Sequence, residues 1–262
     1  MIDSKEVSKA IGMLRRFSDQ RQILVKDKRE SGIPGSWLGF VRQQEDRIEI
    51  YCDMSCSEGV RQAIVVHEIL HKILGHEGFP QVSINETASR ALLPQHQKLL
   101  AKLKDRFKSA IDHPEIFRRI LSCFELDIDS YFGVQVKQKL HMFGSRSARG
   151  IGTSPWYYFE GQQDIMWGVE FFSYPSAHRD LILSAFANSN PESYQSCLSL
   201  YGKVKEIGFE NPMACYRSAL IMKSHILEYG QRRAIGRLND IWRALEVREQ
   251  AASSEFASPS VK

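Results

Sequence analysis

The 262-residue chain has no apolar run near the roughly 18 residues that a membrane span requires. Its first ten residues, MIDSKEVSKA, are charged and lack the apolar core of a secretory signal. These two absences set the expectation of a soluble, cytoplasmic protein. Cysteine is scarce: Cys52, Cys56, Cys123, Cys197 and Cys215 are odd in number and follow no disulfide framework. No second Cys/His pair at finger spacing follows Cys52 and Cys56, so a cysteine-based zinc site is not expected. There is no internal repeat. There is also no strong excess of one charge, with 35 Lys and Arg against 31 Asp and Glu.

What is present is ordinary in amount and uneven in place. An apolar fraction of 43% and a charged fraction of 25% suit a globular chain and exclude a fibre or a largely disordered one. The net charge of +4 comes from residues 101–150, which carry 10 basic and 6 acidic side chains. Lys98, Lys102, Lys104, Arg106 and Lys108 alternate there with Leu99, Leu100, Leu103 and Phe107. That pattern reads as an amphipathic helix with a solvated basic face, and nucleic acid is not the expected partner.

Asp3 and Glu6 resemble a capping box ahead of a helix over 4–17. A short strand is expected at Gln22–Lys26, and a hairpin from Trp37–Arg42 and Arg47–Asp53. A strong helix runs from Val60 to Leu74, with Gly75 as its terminator. Further helices are expected at about 84–92, 95–111 and 115–124, the last two separated by Asp112-His113-Pro114. The Gly/Ser-rich residues 144–156 read as a linker. Beyond them, Trp156–Tyr174 reads as strand or irregular, and helices follow at about 179–188, 191–206, 213–228 and 234–247. The fold class is therefore α+β: a small antiparallel sheet packed on one helix, then a mainly helical C-terminal region. Residues 1–143 form the first domain, 157–248 the helical region of unassigned role, and 249–262 a disordered tail.

The chemistry sits at His67-Glu68-Ile69-Leu70-His71, an H-E-x-x-H sequence inside the strongest predicted helix. Positions i and i+4 lie on one helix face, so both imidazoles project toward one point. Neutral imidazoles suit zinc. Glu68 is rotated about 100° from His67, where it can border a metal-bound water and take its proton without ligating the ion. With 8 His and 19 Glu in the chain, chance supplies about 0.02 such matches. Catalytic zinc normally has three protein ligands. His76, Glu77 and Glu86 are the candidates for the third, Glu86 being preferred because it lies on the next helix after a turn, and His76 second. His96, His113, His141, His178 and His225 read as ordinary histidines. One of them, or Tyr131 or Tyr157, is left to stabilise the oxyanion.

HEILHKILGHEG followed by INETASRALLP resembles the ImmA/IrrE family of bacterial and phage metallopeptidases over roughly residues 20–110. The resemblance implies a zinc endopeptidase with His67, His71 and Glu86 as ligands and Glu68 as general base. It implies a protein substrate, such as a helix-turn-helix transcriptional repressor, and makes the strand at 47–53 the edge that pairs with it. The competing expectation is a non-catalytic regulatory or binding protein with a structural or sensory zinc site.

Overall fold

The structure is a computed structural model that describes residues 4–32, 38–147 and 154–252. It is an α+β protein, mostly helical, with two small sheets. The chain divides into two compact units that do not follow chain order. The first holds Met1–Gly78, Ile116–Gln135 and Ala251–Lys262; the second holds Phe79–Glu115 and Val136–Gln250. Among the described residues no helix is long and apolar enough to cross a membrane.

In the first unit, helix α1 (Lys5–Arg15) is capped by Ser4, whose Oγ accepts from the Val7 amide at 3.1 Å. Residue 3, half of the expected capping box, lies outside the described residues. Val7, Ala10 and Leu14 are buried, and α1 packs on α2 (Glu58–His76). Strands β1 (Gln22–Asp27), β2 (Gly39–Gln43) and β3 (Arg47–Cys52) form a sheet in the order β1-β3-β2. The expected hairpin is β2–β3, and it is antiparallel. The sheet as a whole is mixed, because β1 joins the far side of β3 in parallel. That arrangement makes β3 the central strand, so the strand at 47–53 is not an edge; β2 and β1 are. Ile48, Ile50 and Cys52 share one face by strand alternation and are fully buried. The opposite face carries Glu49 and Tyr51. Glu49 is only 2% exposed, and its carboxylate is held by Lys26 at 2.6 Å, by Arg47 at 3.2 Å and by the Tyr51 hydroxyl at 2.9 Å.

Helix α2 does not stop at Gly75. It continues through His76, with Glu77 as C-cap and Gly78 next at φ +87°, the left-handed conformation that glycine adopts without penalty. One face, with Val60, Ala63, Ile64, Val66, Leu70 and Ile73, is buried, and the helix packs on β2 and β3.

The second unit opens with β4 (Gln81–Ile84), which pairs antiparallel with β5 (Leu245–Arg248). Four-residue strands are too short to show a period, and β5 falls where a helix was expected to end; α10 (Leu238–Arg243) stops before it. The helix expected at 84–92 shrinks to α3 (Glu86–Arg90). The next two expected helices are one, α4 (Pro94–Cys123), which runs through Pro114. Proline in a helix interior costs about 3 kcal/mol. Phe107, Ala110, Ile111, Ile116, Phe117 and Ile120 of this helix are all fully buried, and several such side chains at about 1.5–3 kcal/mol each outweigh one lost hydrogen bond. The division between the units cuts α4 between Glu115 and Ile116.

Helix α5 (Ile128–Ser147) occupies the start of the expected linker, whose residues 148–153 lie outside the described residues, as do 253–262 of the expected tail. The stretch read as strand or irregular is helix α6 (Pro155–Phe171). Ser154 caps it and Pro155 opens it, a favourable pairing. Its residues are buried on every side, so no 3.6-residue stripe is visible in the sequence. Around α6 pack α7 (Ser176–Ser189), α8 (Pro191–Val204), α9 (Pro212–Arg232) and α10.

Candidate metal centre

His67 and His71 stand one turn apart on α2, with ring centroids 4.9 Å apart and planes at 72°. His67 is 7% exposed, and His71 is half-buried. On the His67 side the first unit supplies an aromatic wall. The Phe117 ring lies 5.8 Å from the His67 ring, and Phe117 meets Phe132 edge-on at 5.1 Å. The Tyr131 hydroxyl is 2.8 Å from His67 Nδ1.

Glu68 is half-buried next to His67. The edge strand β2 comes close to it because of Gly39. A Cβ at Gly39 would lie 2.3 Å from Ile64 Cγ2, 3.1 Å from the Tyr51 carbonyl oxygen and 3.5 Å from Glu68 Oε1. Only glycine lets this strand backbone approach the helix face that carries the glutamate.

A third histidine joins the pair. His67, His71 and His113 each offer one ligand atom, and these atoms lie within 4.8 Å of one another. The group could hold a metal ion. His113 lies on α4, one turn before Phe117. Its Nδ1 lies 2.9 Å from Glu170 Oε2 on α6. Glu170 is 3% exposed, and its other oxygen accepts from the Tyr174 hydroxyl at 3.0 Å. Burial pushes the Glu170 carboxyl up, but His113, Lys139 and Tyr174 together outweigh it and hold the group below its ordinary value.

The other expected ligands are placed elsewhere. Glu86 is not in the three-histidine group. It opens α3, its side chain is 84% exposed, and it pairs with Arg90 one turn on at 3.4 Å. The strand β4 between α2 and α3 removes the simple turn on which the expectation for Glu86 rested. His76 Nε2 lies 3.2 Å from Asp19 Oδ2, and its ring stacks on Phe17 at 5.4 Å. Glu77 is gripped by both terminal nitrogens of Arg119, at 2.9 and 2.6 Å. The Cys52 thiol is pushed up to about 12, chiefly by burial, so it stays protonated at neutral pH.

Sequence reasoning set His113 aside among ordinary histidines and did not single out Glu170. Nothing local marks either residue. The available signal was indirect: an H-E-x-x-H helix needs a third donor, and chain distance does not limit where it comes from. The basic segment proves largely engaged within its own unit. Lys108 pairs with Asp112 at 2.6 Å, Lys104 with Asp105 at 3.4 Å, and Arg106 donates to Gln163 at 2.7 Å beneath the ring of Trp167.

No family model matches this chain, and neither a curated protein nor a solved structure matches it.

Proposed function

We propose that the chain is a zinc-dependent endopeptidase in which His67, His71 and His113 hold the ion and Glu68 is the general base. The observation that carries this reading is the convergence of three histidines with a glutamate beside the first of them that is not one of the group. The donor set is right for the ion: three neutral imidazoles leave a fourth position open, as catalytic zinc requires. Bound there, zinc supplies a Lewis acid for the scissile carbonyl and lowers the pKa of a water toward about 7.

The protein's own share of the work follows from its residues. Glu68 accepts the proton of the attacking water and returns it to the leaving amine. Gly39 keeps β2 close to Glu68, so an extended chain lying along this edge strand would bring its backbone past the base. The resemblance to ImmA/IrrE peptidases adds the substrate class, a protein partner such as a transcriptional repressor, cut in the cytoplasm.

The test is Glu68→Gln in the full chain, with zinc content and cleavage measured side by side. Substrates would be a quenched-fluorescent peptide library and repressors encoded beside the gene. The variant should keep one zinc per chain and lose cleavage by 100-fold or more, the usual scale of a general base. Cleavage by the variant at the wild-type rate would overturn the proposal. So would a zinc-loaded wild type that cuts none of these substrates, an outcome that favours a sensory or structural metal site.

A further inference from the structure

We propose that Tyr131 and Glu170 are positioning residues of the metal centre: each takes Nδ1 of one histidine, which leaves Nε2 of His67 and of His113 as the ligating atoms. The inference rests on the metal-binding part of the proposed function and adds the atoms and the supporting groups. An imidazole that ligates through one nitrogen carries its proton on the other, and a partner at that second nitrogen fixes both the tautomer and the ring plane. The structure shows a group beside this nitrogen for His67 and for His113. Tyr131 Oη is hydrogen-bonded to His67 Nδ1 at 2.8 Å, and Glu170 Oε2 makes an ion-pair contact with His113 Nδ1 at 2.9 Å. Both partners are buried, at 2% and 3% exposure, so water does not compete for these contacts.

The two partners differ in charge, and that difference has a consequence. Three imidazoles bring no negative charge to a divalent ion. Glu170 is the carboxylate in contact with a ligand, and it is fixed in place: Tyr174 holds Oε1 at 3.0 Å while Oε2 faces His113. An ionised Glu170 makes the His113 imidazole a stronger donor and offsets part of the ion's charge through it. Tyr131 sets the His67 ring without adding charge. Helix α6 thereby supplies the carboxylate beside His113.

The experiment is a competition titration of zinc against a chromophoric chelator at neutral pH, using the full chain stripped of metal. Its companion measurement is the melting temperature of the metal-free protein. Wild type should bind one zinc. Glu170→Gln and Tyr131→Phe should each still bind one zinc, with affinity lowered about 10–100-fold, the usual effect of losing an outer partner. Glu170→Asp keeps the charge and should retain more affinity than Glu170→Gln. A merely structural role would lower the metal-free melting temperature and leave the affinity of the folded protein unchanged, and that result would overturn the inference. If Glu170→Gln does not fold, Glu170→Asp and Tyr131→Phe carry the same test. Wild type that binds no zinc would overturn this inference and the proposed function together. Affinity losses as expected, in a chain that cleaves nothing, would leave the positioning roles standing and remove only the peptidase.

Discussion

Helices α2 and α6 are of similar length and hold their polar residues in opposite ways. Helix α2 packs its apolar residues on α1 and the sheet, and its other positions beyond the first turn, Glu68, His71 and Lys72 among them, are partly exposed. Helix α6 is buried all round, and its buried set includes Gln162, Gln163, Asp164 and Glu170. Polar groups in the middle of a helical core must be matched by others. Gln162 Nε2 donates to the Ile226 carbonyl and to Asn239 Oδ1, both at 2.8 Å, and Ser193 Oγ meets the Tyr229 hydroxyl at 3.0 Å. On α2 the two histidines stand out by their i, i+4 spacing in an otherwise apolar stretch. On a central helix there is no pattern to interrupt, so the role proposed for Glu170 leaves no mark that sets it apart from the rest of the network.

The sharpest way to break this comparison is the same substitution at a glycine in each helix. Gly168 lies on α6 where a Cβ would come 2.3 Å from Cys197 Sγ and 2.9 Å from Phe186 Cε1. Alanine there must push α6 away from its neighbours or force a buried ring off its rotamer. Gly168→Ala should destabilise the protein by about 2–3 kcal/mol, the upper range for overpacking and more than the gain in helix propensity. Urea unfolding measures it. Adding Cys197→Ala removes the closest clash and should recover a good part of the loss. An unchanged midpoint for the single variant would show that the centre of this unit is looser than its contacts indicate.

The same contrast explains what could be read from the sequence. The H-E-x-x-H helix follows from its long apolar run and its Ser57 cap, and the β2–β3 hairpin and helices α7, α8 and α9 follow from periodicity. The failures have separate causes. Parallel pairing of β1 with β3 is a long-range choice that strand composition does not encode. Pro114 reads as a break, yet the buried apolar residues on both sides of it keep α4 whole. Strands β4 and β5 make sense only as partners 160 residues apart. At the site, His67, Glu68 and His71 were legible because one turn of helix brings them together. His113 and Glu170 were not, because packing alone places them.

A smaller effect tests a charged contact in the first unit. Asp19 is held at about 2 by hydrogen bonds from Arg21, which outweigh the upward push of burial, with His76 adding to the same effect. Against its ordinary value of 3.8, the folded state binds this proton more weakly than the unfolded one. Its contribution is therefore fully present above pH 4 and is lost as pH falls toward 2. Asp19→Asn should cost roughly 1–2 kcal/mol at neutral pH and flatten the fall in stability between pH 4 and 2. Urea midpoints at pH 7, 4 and 2.5 for both proteins measure this. Parallel curves would mean that the Asp19–Arg21–His76 contact at the end of α2 adds nothing to stability.

The smallest effect has the opposite sign from the largest. Gly75 lies inside α2, four residues past His71, and a Cβ there would meet nothing within 4 Å. Its backbone is helical and not left-handed, since the positive φ belongs to Gly78. Nothing in the packing therefore requires a glycine, and the helix bears its entropic cost in full. Gly75→Ala should stabilise the protein by about 0.5–1 kcal/mol, seen as a higher urea midpoint. Zinc affinity should not change, because His67 and His71 are on the turns before it and His113 is on α4. If Gly75→Ala destabilises instead, α2 does not run regularly through His76 and ends a turn earlier.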